Sequence, residues 1–104
     1  MTHSPAPPER CRVIGGDKLP PETGGSGQIC ASIEAAAESR APGTGYSVEV
    51  EVLSDYMLAA RVRMADGRTL PEQKMAVSDR KLGRRAINRF ATSIAEAIGR
   101  AGGR

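Results

Sequence analysis

Apolar and polar positions alternate between residues 46 and 64. In "YSVEVEVL", Tyr46, Val48, Val50 and Val52 share one parity, and Ser47, Glu49 and Glu51 share the other. In "YMLAARVRM", Leu58, Ala60, Val62 and Met64 alternate with Arg61 and Arg63. A period of two predicts strands with one face in the core and one in water. Asp66–Gly67 then reads as a two-residue hairpin turn. A third strand is expected at about 68–77, with Met75 and Val77 inward. Pro71 cannot donate to a ladder, so this strand should lie at an edge or start late. Pairing Val50 with Ala60 keeps both inside and sets Glu49 opposite Arg61. The turn then brings Arg61 opposite Glu72, with Glu51, Arg63 and Lys74 nearby, and such a charge ladder favours the meander order.

The period lengthens on both sides of this meander. "GQICASIEAAAESR" places Ile29, Ile33, Ala36, Ala37 and Arg40 on one helical face, with Cys30 at its border. Ser26 suits the N-cap, and "APG" at 41–43 ends the helix. "SDRKLGRRAINRFATSIAEAIGR" puts Leu82, Ala86, Ile87, Phe90, Ala91, Ile94 and Ile98 on one side of a long helix. Ser78 or Asp79 would cap it, and "GRAGGR" would fray it out. Near the start of the chain, "CRVIGG" suggests a short strand at 11–14. The pattern predicts an α+β two-layer sandwich: short strand, helix, three-stranded antiparallel meander, helix, both helices on one face of the sheet. Residues 11–100 would form a single domain, after a disordered Pro-rich arm (1–10) and before a frayed tail (101–104).

Composition narrows what such a domain can do. The chain has 104 residues, 39% hydrophobic and only 3% aromatic, so its core must be aliphatic. Tyr46, Tyr56, Phe90 and the imidazole of His3 are too few for a base-stacking platform. A net charge of +3 is mildly basic, short of the bias of a typical nucleic-acid binder. No apolar run approaches the roughly 20 residues of a membrane span. "MTHSPAPPER" has no apolar stretch and is no signal peptide as it stands; it reads as an arm, or as the stalk left by a removed leader.

Between Gly15 and Cys30 runs "GGDKLPPETGGSGQIC". "GGSGQI" lacks the Lys and the hydroxyl of a Walker loop, and it lacks the last glycine of a dinucleotide fingerprint. N–H groups at the start of the helix bind anions weakly at best, so the stretch reads as a flexible connection. Cys11 and Cys30 bracket it. A disulfide closing about 20 residues is worth roughly 3 kcal/mol and suits an oxidising compartment. The alternative is two free thiols in a cytosolic protein.

Chemistry has few carriers. His3 is the only histidine and lies in the arm, which leaves no triad and no zinc set. Glu34 and Glu38 read as a solvated pair, and Asp55, Asp66 and Asp79 fall at turns and a cap. The expectation is a protein that is not an enzyme and uses no cofactor or metal.

The exception is "DRKLGRR" with Arg89 beyond. Arg80, Lys81, Arg84, Arg85 and Arg89 crowd the start of the last helix. The helix dipole is positive there, so each cation is mildly unfavourable and local stability does not explain the cluster. It suits an anionic partner: a protein, a lipid surface or RNA. The bland alternative is a solvated face paired in part to Asp79 and Glu72. Helix, meander and helix, with cations opening the second helix, is similar to a double-stranded-RNA-binding domain over residues 28–99. That resemblance implies phosphate contacts from Arg80, Lys81 and Arg84. In place of the family's G-x-G-x-S-K-K entry stands "MAVSDRKLG", and the first strand and the cysteines are foreign to it. The order also resembles small α/β modules of bacterial envelope proteins. The expected function is a non-catalytic interaction module, exported to the periplasm or envelope; the alternative is a cytoplasmic RNA-binding domain.

Overall fold

A computed structural model describes residues 10–78 and 81–102. The strands are β1 (Cys11–Ile14), β2 (Tyr46–Ser54), β3 (Met57–Met64) and β4 (Gln73–Ala76); the helices are α1 (Gly25–Arg40) and α2 (Arg84–Gly102). They form one sheet in the order β1-β2-β3-β4. The meander β2–β3–β4 is antiparallel as expected, while β1 runs parallel to β2, so the sheet is mixed. The chain between β1 and β2 is therefore a crossover carried by α1.

Alternation and burial agree along β2 and β3, except that Ala59 is buried in the outward phase of β3. Val48, Val50, Val52, Leu58, Ala60 and Val62 are buried in one cluster with Ile29 and Ile33 of α1 and Ile87, Phe90, Ile94 and Ile98 of α2. Each Val, Leu, Ile or Phe among them contributes about 1.5–3 kcal/mol by leaving water. The two helices run side by side in the same direction. Ser32 donates to Asn88 (3.4 Å), and eight residues further on in each helix Arg40 meets Glu96 (3.5 Å).

The outer face carries the expected ladder. Glu49 lies opposite Arg61. The Arg61 guanidinium reaches Glu49 (3.4 Å), Glu51 (3.3 Å) and Glu72 (3.3 Å). The hairpin gets there by another route. Met64 N–H to Arg68 O (2.7 Å) and Gly67 N–H to Met64 O (2.9 Å) enclose three residues, Ala65, Asp66 and Gly67, not two. Gly67 supplies the left-handed position (φ 96°) that this turn needs. The extra residue sets Arg63 opposite Thr69, yet Ala60 faces Gln73. An irregularity around Pro71 absorbs the difference. The third strand accordingly starts late, at Gln73, and it is an edge strand.

Cys11 and Cys30 form a disulfide (S–S 2.11 Å, Cα–Cα 5.6 Å) that ties β1 to α1. The connection between them is not formless: it makes two 3-10 turns, Gly16–Lys18 and Pro21–Thr23. Thr23 is fully buried; its hydroxyl donates to Pro20 O (2.8 Å) and accepts from Gly25 N–H (3.2 Å). Thr23, rather than Ser26, thus serves the start of α1. Ser26 packs under Gly16, where any Cβ would collide with its hydroxyl. Arg10 already belongs to the fold. Its carbonyl accepts from Val48 N–H (2.6 Å), and its guanidinium lies over the Tyr46 ring, 5.3 Å from the centroid.

Candidate anion-binding groove

The last helix starts later than its apolar pattern suggests. Val77 N–H donates to Tyr56 O (3.0 Å), and Leu82 N–H donates to Asp55 O (2.9 Å). These bonds hold Val77 and Leu82 against the turn between β2 and β3, and Leu82 fills the core from outside the helix. Helical bonding begins with Ile87 N–H to Gly83 O (3.1 Å). Ser78 is therefore not the cap, and Asp79 lies outside the described residues.

This changes where the cations sit. Arg84 and Arg85 open the first turn of α2, Arg89 follows on the second, and Lys81 precedes the helix. Arg80 lies outside the described residues. Lys81, Arg84, Arg85 and Arg89 line one groove of about 320 Å³, together with Met75, Ala76, Val77, Gly83 and Ala86. Four of the five cations singled out in the sequence thus converge on one depression between β4 and α2. Its floor is partly apolar, and its charge is one-signed.

Neighbouring groups reinforce the sign. The first N–H groups of a helix lack intrahelical partners and carry partial positive charge. Because α1 and α2 run parallel, both positive ends face the same end of the molecule. Asp55 answers only Lys81, at 3.7 Å. Glu72, a candidate partner for the cluster, is bonded to Arg61 instead. Among the described residues, Arg84, Arg85 and Arg89 make no ion pair. The inward phase of Met75 and Val77 was legible in the sequence, but only the fold brings them beside the cations.

Another depression, about 380 Å³, lies on the outer sheet face between Arg12, Glu49, Arg61 and Arg63. It is a poorer anion site. Three carboxylates already hold Arg61, and the hydrogen bond to Glu51, chief among them, pushes its pKa further up. Among the described residues no group of His, Cys, Asp and Glu is placed to hold a metal ion. No helix among them is long and apolar enough to cross a membrane.

No protein family, curated protein or solved structure matches the chain. The functional reading therefore rests on the geometry.

Proposed function

We propose that this protein is a non-catalytic binding module that grips an anionic partner through the groove between β4 and the start of α2. The convergence of Lys81, Arg84, Arg85 and Arg89 on one depression carries this reading. These cations sit at the positive end of a helix, where each costs a few tenths of a kcal/mol. A protein that kept them for stability would place them at the other end. The Cys11–Cys30 disulfide supports export to the periplasm or envelope, since such bonds persist in oxidising compartments.

Duplex RNA is the second reading, favoured by the parallel helices on one sheet face with Lys81 and Arg84 at the start of α2. The charge-balanced outer face and the missing entry motif argue for weak RNA binding. The test is titration of the intact protein with duplex RNA, phosphatidylserine vesicles and an acidic peptide at two salt concentrations. Binding of at least one should weaken as salt rises and should fail when Arg84, Arg85 and Arg89 are replaced by Gln. Tight, sequence-independent RNA binding would promote the second reading. No binding to any of the three would refute the anionic-partner reading.

A further inference from the structure

One wall of the groove is an open sheet edge. Val77 N–H bonds Tyr56 O, which fixes the phase of the β3–β4 ladder. In an antiparallel pair, residues that bond across the ladder alternate with residues that do not. Met75 opposite Leu58 and Gln73 opposite Ala60 therefore share the phase of Val77. Lys74 and Ala76 fall in the other phase, so their N–H and C=O groups point away from β3. β4 ends the sheet, and among the described residues no other backbone group bonds Lys74 or Ala76. An edge of this kind is a template for one more strand.

The edge and the cations belong to one surface. Met75, Ala76 and Val77 line the same groove as Lys81, Arg84, Arg85 and Arg89. Met75 and Val77 are half-buried beneath α2, against the core. A chain laid along β4 would turn alternate side chains toward α2 and its arginines. Lys74 stands exposed on the strand itself. Lysine at an edge discourages pairing with neutral or basic strands and leaves acidic ones admissible.

We infer that the groove takes an extended acidic segment of a partner protein, added as a fifth strand on β4, with alternate carboxylates facing Lys81, Arg84, Arg85 and Arg89. This rests on the anionic-partner reading above and adds the partner's chemistry and its mode of binding. Main-chain bonds to Lys74 and Ala76 would supply affinity, and the carboxylates would supply selection. Neither a lipid surface nor an RNA backbone offers the alternating donors and acceptors that this edge requires.

The probe is a capped peptide of about ten residues alternating glutamate and threonine, titrated into the intact protein and followed by amide NMR. The control is the same peptide N-methylated on alternate residues, which keeps its charge and cannot extend a sheet. The protein variant is Ala76→Pro. The Ala76 N–H takes no part in the β3 ladder, so proline should be tolerated there while blocking the edge. The parent peptide should bind and move the amides of Lys74 and Ala76. N-methylation and Ala76→Pro should each weaken binding about tenfold or more, a loss of roughly 1.4 kcal/mol. Should Ala76→Pro fail to fold, the N-methylated peptide decides alone. Equal binding of both peptides would overturn strand addition and leave the anionic reading standing. So would binding of duplex RNA or phosphatidylserine vesicles without the parent peptide. Silence from every anionic probe would remove both.

Discussion

The two ends of α2 use the same side chain in opposite ways. At the C-terminal end, the Arg68 guanidinium donates to Ala101 O (2.9 Å) and is held by Asp66 (2.8 Å). A cation there meets the negative end of the dipole and satisfies an orphan carbonyl. Asp66 also accepts from Arg68 N–H (3.0 Å), so one aspartate closes the hairpin and aims the cap. Arg40 meets Glu96 nearby. At the N-terminal end, Arg84, Arg85 and Arg89 stand where the dipole opposes them, around a groove. Position rather than residue type separates a stabilising arginine from one held for a partner.

The two ends of α2 are held apart only while the helix is docked, and Phe90→Ala tries that docking hardest. Phe90 is 2% exposed, and it is the only large ring on the apolar side of the helix. The loss should be about 3–5 kcal/mol in chemical denaturation, much of a small domain's stability. A loss below about 1 kcal/mol would mean that α2 does not hold the two ends apart as described.

Reducing the disulfide comes next. It fixes α1 to β1 and so helps to align the two positive helix ends. Reduction should cost roughly 3 kcal/mol. Hydrogen exchange should then quicken first in residues 11–24 and last in β2 and β3. Uniform loosening would show that β1 and α1 are no separate unit.

A pH titration sharpens the C-terminal end. Arg68, chiefly through its backbone N–H, holds the Asp66 carboxyl below its ordinary value of 3.8. A group with a depressed folded pKa stabilises above its unfolded pKa and stops doing so as pH falls through the folded value. Asp66→Asn should therefore flatten the acid limb of the stability profile below about pH 4. An unchanged limb would remove Asp66 from the cap.

The smallest effect is expected at Tyr46, beside the N-terminal segment. Its hydroxyl is buried without a hydrogen-bond partner among the described residues. Burial raises its pKa above the usual 10.0, while the Arg10 guanidinium over its ring opposes the rise. Tyr46→Phe should change stability by less than about 0.5 kcal/mol, and removing an unsatisfied group can be stabilising. It should also remove a loss of stability at high pH, where ionising a tyrosine of raised pKa opposes folding. A penalty above about 1 kcal/mol would reveal a bond to Arg10 in solution.

How legible the fold was in the sequence depended on where each signal resides. Alternation in β2 and β3 is carried by the side chains themselves, and the Glu49–Arg61–Glu72 ladder gave the register a second witness. The direction of β1 had no such witness, because four residues hold too little pattern. The start of α2 depends on a long-range bond: Leu82 N–H goes to Asp55 and keeps residue 82 out of the helix. At α1 the N-cap is Gly24, and the Thr23 hydroxyl, not Ser26, bonds the first helical N–H. The hairpin gained a residue that a local turn rule cannot see, and the irregularity near Pro71 concealed the error. Of the groove, the basic residues were legible as a run. Its other wall was legible in part: Pro71 pointed to an edge or late-starting strand, while only the fold sets that edge beside the start of α2.

Thermal melts of two variants side by side test most directly whether the two ends of α2 hold their cations for different reasons. Arg68→Gln should lower the melting temperature, by the few degrees that about 0.3–1 kcal/mol implies. Arg84→Gln, Arg85→Gln and Arg89→Gln combined should leave it unchanged or raise it. A triple variant that melts below the parent, as Arg68→Gln does, would make the N-terminal cluster structural and contradict the account.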